Sequence, residues 1–199
     1  MSHLRPALVL LLLLTALTGL AYPLAVTGIG QTLFPVQANG SLIVQGSRIV
    51  GSDLIGQAFA SGHYVQPRPS ATSAADPINP ARTVEAPYNA AASGASNLGP
   101  TSATLAERLA TSSQAWKASG MAGPIPGDAV TTSGSGLDPH VSPAYAQAQA
   151  PRIAAARGLP ETEIRRLIEA STEGRTFGIF GEPRVNVLRV NRALDRMGS

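Results

Sequence analysis

From residue 6 to residue 47 the chain carries no charged side chain. Within that window residues 8–29 are dominated by Leu, Ala and Val. As a helix these 22 positions would run about 33 Å, enough for a hydrocarbon core of about 30 Å. No polar face exists anywhere on the segment, which argues against a core helix of a water-soluble domain. Pro6 suits a first helical turn, where its missing N–H costs nothing. Pro23 is expected to kink the last turn or to end the helix near Tyr22.

Two readings of the segment compete. Arg5 as a basic n-region, the Leu-rich run and the small-x-small triplet Gly19-Leu20-Ala21 fit a secretory signal peptide. Apolar character continues beyond that triplet through Leu24, Val26 and Ile29 to Leu33 and Phe34, which favours an uncleaved anchor. Both give the same orientation. Arg5 precedes the run and no positive charge follows until Arg48, so the positive-inside bias puts the N-terminus in the cytoplasm and the bulk of the chain outside. The expected organisation is a single-pass transmembrane anchor over residues 1–30 and one soluble extracytoplasmic α+β domain over residues 31–199.

Composition narrows the function classes. There are 15 Lys and Arg against 12 Asp and Glu in 199 residues, and Lys117 is the only lysine, so the clustered basic surface of a nucleic-acid binder is missing. With 0 cysteines, disulfides, thiolate metal sites and cysteine nucleophiles are excluded, and 3 histidines make an all-histidine metal site a poor fit.

Beyond the apolar run, SLIVQGSRIVG (41–51) reads as two short β segments around a Gln45-Gly46-Ser47 turn. Residues 53–59 read as a capped turn or short helix. Residues 61–100 have linker composition, rich in Ala, Ser, Pro, Asn and Gly, yet contain non-repetitive clusters. Thr104 and Glu107 fit a capping box for a helix running to Lys117, with Leu105, Leu109 and Trp116 on one face and Ser113 on the exposed one. Ser142-Pro143 starts a helix that Pro151 interrupts and Gly158 ends. Pro160 opens another, with Glu161 and Glu163 in its first turn, Ile164, Leu167 and Ile168 as its buried stripe and Gly174 as its stop. RVNVLRVN (184–191) alternates like a strand, and Asn191 is placed to cap a short closing helix carrying Leu194.

The densest polar cluster is SGSGLDPH (133–140), with Ser133, Gly134, Ser135, Gly136, Asp138 and His140. Triad residues come from separate elements, and eight consecutive residues do not fold into that relay. No Gly-Lys-Ser/Thr follows, as a phosphate loop requires. Asp138 and His140 supply at most two metal ligands. The cluster therefore reads as a tight loop, with Gly134 and Gly136 expected at positive φ and Asp138 and Ser142 closing side chain–backbone turns. Gln57, Arg68, Ser70, Asn89, Ser93 and Asn97 are candidate loop-clamping or partner-contact residues. No paired carboxylates or nucleophile–base pair is found, so no catalytic residue and no metal site are assigned.

The order of GSDLIGQAF (51–59), RPSA (68–71), YNAAASGASNLGP (88–100), DAVTTSGSGLDPHVSP (128–143), AARGL (155–159) and GEPRVNVLRVN (181–191) behind one anchor resembles the KdpC family, the C subunits of bacterial Kdp potassium-transporting ATPases. The resemblance covers essentially the whole chain. It implies a non-catalytic accessory subunit whose partners are a channel-like potassium-binding subunit, a P-type ATPase subunit and a very small fourth subunit. It further implies a catalytic-chaperone role that raises the ATP affinity of the ATPase subunit, with ATP a possible ligand and Gln149 its suggested contact. Cytosolic ATP is out of reach of an outside domain, so the expected route is stabilisation of one state of the complex, a coupling free energy rather than a contact. An exported binding module or enzyme unrelated to transport is the alternative class.

Overall fold

The computed structural model describes residues 3–197. The chain forms two compact units, Met1–Ser52 and Asp53–Ser199.

The first unit is built on one continuous helical rod, Leu4–Leu33, long and apolar enough to cross a membrane and wholly unburied within the chain. It comprises α1 (Leu4–Ala16), a π turn at Leu17–Ala21 and α2 (Tyr22–Leu33). The expected break near Tyr22 does not occur. In the π turn the Tyr22 amide donates to the Leu17 carbonyl, five residues back. The extra residue widens the helix just ahead of Pro23, whose ring would otherwise press on the carbonyl four residues earlier. The rod therefore passes the proline and ends at Leu33, where Phe34 leaves helical geometry. A short helix α3 (Pro35–Ala38) leads into a hairpin of β1 (Leu42–Gln45) and β2 (Arg48–Ser52), with Gln45 opposite Arg48. Gly46 takes φ 62°, the positive value that lets a two-residue turn match the twist of its strands.

The second unit has its core among four C-terminal helices and a small sheet. The helices are α6 (Pro143–Ala148), α7 (Ala150–Arg157), α8 (Glu161–Ala170) and α9 (Val187–Met197), and the sheet is ordered β5 (His140–Val141), β7 (Arg184–Asn186), β6 (Thr172–Glu173). Tyr145, Ile153, Ile164, Ile168, Val185, Val190 and Leu194 are buried together there. Ahead of them lie the hairpin β3 (Ser73–Ala75) and β4 (Thr83–Glu85), the helix α4 (Ala103–Ala118) and the single-turn α5 (Gly127–Val130). Trp116 of α4 meets the Tyr145 ring edge-on at 5.5 Å and donates its indole N–H to the Ala129 carbonyl. The mixture of helix and strand agrees with the expected α+β class.

Several boundaries differ from the sequence reading. Of the two forms expected over residues 53–59, a turn is present at Asp53-Leu54 and no helix follows. The cap of α4 is Ser102, whose hydroxyl accepts the Leu105 amide, two residues before the expected Thr104. Ser113 is half-buried, whereas Gln114 is exposed. Helix α8 stops at Ala170 rather than Gly174, because the hydroxyls of Ser171 and Thr172 take the Leu167 and Ile168 carbonyls. The expected strand over 184–191 is a strand only to Asn186. The Asn186 side chain then accepts the Arg189 amide, and Val187, Val190, Asn191 and Leu194 recur at helical spacing on the buried face of α9. Asn191 therefore lies inside α9 and caps nothing.

Candidate functional site

Two polar systems organise the second unit. The first gathers the loops that the sequence singled out. Arg68 meets the Asp138 carboxylate at 3.2 Å and also donates to the Thr132 carbonyl at 3.3 Å. Asp138 accepts the His140 amide at 2.9 Å, and the His140 ring nitrogen Nδ1 stands 3.6 Å from the same carboxylate oxygen. Burial disfavours the ionised Asp138 carboxyl, but the His140 hydrogen bonds and the Arg68 charge outweigh it and hold the group below its ordinary value. One loop further on, Asp128 accepts both the backbone N–H and the hydroxyl of Ser142, and Ser142 in turn caps α6 through the Tyr145 amide.

Ser70 and Thr72 join this loop to the Tyr88 segment. The Ser70 hydroxyl donates to the Gly136 carbonyl at 2.7 Å and accepts the Tyr88 amide at 3.0 Å. Thr72 donates to the Ala86 carbonyl and accepts the Asn89 amide. The Asn89 amide group donates to the Ser73 carbonyl. The Tyr88 hydroxyl donates to the Arg68 carbonyl; its acidity is suppressed, first by burial and then by the nearby Asp138 charge. Ser93 donates to the Ser135 carbonyl, which also receives the Gly94 amide. Ser133 accepts the Gly136 amide, and Ser135 accepts that of Leu137. Asn97 sits at φ 52°, a left-handed position that asparagine tolerates better than most residues. Gln57 is half-buried beside Gly56.

Gly136 has the expected positive φ, 68°, but Gly134 does not and has open space around it. Gly56, which the sequence reading passed over, is another close approach: a Cβ there would strike the Tyr88 ring and the Asp138 carbonyl. Between these loops and the start of β7 lies a cleft of about 390 Å³ where the charged side chains Arg68, Asp128, Asp138, Glu182 and Arg184 meet His140, Val141 and Pro183.

The second system was not foreseen. Gln149, at the α6–α7 junction, is 1% exposed. Its carbonyl oxygen accepts the Gln66 backbone N–H at 2.8 Å, and its amide nitrogen donates to the Gln66 backbone C=O at 3.1 Å. Asn191 of α9 does the same for Val65, at 2.8 and 2.9 Å. The extended strap through Val65 and Gln66 is thus paired on both residues by side-chain amides that stand in for a neighbouring strand. Arg152 adds bonds to the Gly62 and Tyr64 carbonyls and to Gln149, and Arg157 adds one to the His63 carbonyl while its guanidinium lies 5.1 Å from the Tyr64 ring centre.

Chemically, the first system is a set of clamped loops. Asp138 and His140 come together, while the Ser133 hydroxyl accepts the Gly136 amide within its own loop. Among the described residues no group of three or more His, Asp or Glu side chains could hold a metal ion. Gln149 is enclosed, with both ends of its amide engaged within the protein. The sequence reading gave no clamping role to Gly56, Gln66, Thr72, Tyr88, Asp128 or Asn191; of these Gln66, Thr72 and Tyr88 lie in the 61–100 stretch whose composition reads as linker, Thr72 directly after RPSA and Tyr88 at the start of YNAAASGASNLGP.

An apolar N-terminal helix of membrane-spanning type, joined to a small α+β unit whose loops are fixed by side chain–backbone bonds, defines the class: a membrane-associated protein with one small α+β domain. Comparison with known families is specific. Residues 4–196 match the family described as "K+-transporting ATPase, c chain". The chain is 58% identical over 197 residues to the potassium-transporting ATPase KdpC subunit of Methylorubrum populi, covering 99% of this chain and 98% of that one. It is 60% identical over 194 residues to the KdpC subunit of Methylorubrum extorquens (98% and 96% covered) and 57% identical over 195 to that of Rhodopseudomonas palustris (98% and 97%). The chain belongs to the KdpC family, subunits of the potassium-transporting ATPase.

Proposed function

We propose that the chain is a non-catalytic subunit of an ATP-driven potassium uptake complex, held in the bacterial inner membrane by its Leu4–Leu33 helix with residues 53–199 on the outer side. Its partners are the ion-binding and ATP-hydrolysing subunits and a small fourth subunit. Its domain lies over the outer entrance of the potassium path and raises ATP affinity at a distance, by favouring one state of the assembly. The observation that carries this reading is the charge distribution about the apolar rod: Arg5 alone precedes the span and no positive charge follows until Arg48. The enclosure of Gln149 supports action without nucleotide contact, since its amide has no free end to offer.

Sidedness tests it. Gln114 is exposed on α4 and the chain has no cysteine, so Gln114→Cys supplies a single thiol. In intact spheroplasts it should react with a membrane-impermeant maleimide. Labelling only after lysis would place the domain in the cytoplasm and make direct nucleotide contact the leading mechanism.

A further inference from the structure

Between β6 and β7 the chain forms a small hairpin, RTFGIFGE (175–182). Thr176 and Phe180 exchange both backbone hydrogen bonds, at 2.9 and 3.0 Å. At its base the Arg175 guanidinium meets both Glu182 carboxylate oxygens, at 2.8 and 2.7 Å. Phe177, Gly178 and Gly181 all take left-handed backbone, with φ of 54°, 74° and 79°. On this frame three large apolar side chains stand in solvent: Phe177 is 88% exposed, Ile179 71% and Phe180 65%. The other exposed large apolar residues of the second unit, Leu54, Ile78 and Val84, occur singly along the chain. Isolated apolar residues on a surface are ordinary, but three in four consecutive positions at one tip are not.

We propose that this tip is a wedge that seats in an apolar cleft of a neighbouring subunit of the potassium-transporting ATPase. The inference rests on the chain's assembly with such subunits. Two features favour a protein cleft over the lipid surface. The rim is charge-balanced: Arg175 is paired with Glu182, and Arg184 with Glu173, so the hairpin lacks the surplus of cations that draws a loop to anionic headgroups. The backbone is also fixed. A phenylalanine held left-handed is strained, and a fluid bilayer has no use for one fixed presentation, whereas a shaped cleft gains from a preorganised insert. Aromatic anchors enclosed in a pocket are the usual centre of such contacts.

The test uses Ile179→Cys, again the only thiol in this subunit, in membrane fragments open on both sides, so that sidedness plays no part. With the other subunits co-expressed, its reaction with an impermeant maleimide should slow at least tenfold relative to the chain expressed alone in the same membranes. Equal rates in the two preparations would overturn the proposal. Equal protection in both, including without partners, would assign the tip to the lipid surface and overturn it as well. A second variant, Phe177→Ser with Phe180→Ser, alters only exposed side chains. It should keep the circular dichroism of the parent while retaining at least fivefold less of the partner subunits on the tagged chain; undiminished retention of all of them would overturn the wedge. If partner subunits co-purify while Ile179→Cys stays fully reactive, the wedge falls and complex membership stands. If none co-purify even with the unaltered chain, the membership it rests on falls.

Discussion

Replacing Gly136 by alanine should damage the fold in a way that replacing Gly134 does not, although the two lie in the same short loop. Gly136 sits at φ 68°, and a Cβ built there would lie 2.5 Å from the Thr72 methyl carbon, 2.7 Å from the Gly94 carbonyl oxygen and 3.4 Å from the Ser70 hydroxyl. Left-handed backbone costs a non-glycine residue about 1–2 kcal/mol. Crowding adds about 1–3 kcal/mol, because Gly94 is held against Ser135 by its own amide and cannot simply withdraw. The total is about 2–5 kcal/mol. For a chain of this size each kcal/mol lowers the melting temperature by about 2–4 °C, so Gly136→Ala should melt about 4–20 °C lower. Gly134 has ordinary φ and nothing within 4 Å of its would-be Cβ, so Gly134→Ala should change stability by less than about 0.5 kcal/mol. The fluorescence of Trp116, the single tryptophan, in full-length protein held in detergent reports both. Equal effects of the two variants, or a Gly136→Ala protein within 1 kcal/mol of the parent, would refute the claim that this loop is fixed by close approach.

Gln149→Leu should destabilise the chain by about 2–3 kcal/mol, since it leaves the half-buried Gln66 N–H and C=O without the Gln149 amide as partner; an unchanged melting temperature together with weaker ATP affinity of the whole complex would mean that the amide serves nucleotide instead. The folded Asp138 carboxyl titrates below its ordinary 3.8, so its stabilisation is complete above that value and is lost as pH falls through the folded pKa. Asp138→Asn should therefore flatten part of the acid limb of a plot of urea midpoint against pH, and an identical limb would contradict this. The mature protein should keep its N-terminal rod, with an intact mass matching the full chain apart from the initiator Met; a product starting at Tyr22 would refute it. The purified chain alone should show no ATP hydrolysis that is lost on mutating Asp138 or His140.

The apolar rod was legible because its signal is local: an uncharged run needs no partner to declare itself. The α7 stop at Gly158 and the Ile164/Ile168 stripe of α8 were legible for the same reason. The strand expected over 184–191 shows where local pattern misleads. Val185 and Val187 alternate, but Val187, Val190 and Leu194 also fit a helix, and the choice is made by Asn186, whose side chain caps the first turn. The stretch 61–100 was read as linker because it has few large apolar residues. Its order comes from hydrogen bonds with partners far along the chain, Ser70 to Gly136, Ser93 to Ser135 and Val65 to Asn191, which composition does not record. The candidate loops were found as sequence clusters and their polar residues as candidate clamps, but which partner each one holds emerged only once these pairings were visible.

The strap through Val65 and Gln66 also bears on how the domain comes together in time. Its partners lie 83 and 126 positions away, and Gln149 and Asn191 present their amides at the right spacing only after α6, α7 and α9 have packed. Loop closure over such distances is slow relative to helix formation. The Gln66 half of the strap is therefore expected to close only once α6 and α7 are in place, and the Val65 half only once α9 is. In amide hydrogen exchange Val65 should be released together with α9 and Gln66 together with the α6–α7 junction, so that two neighbouring amides near the beginning of the domain report the opening of different helices.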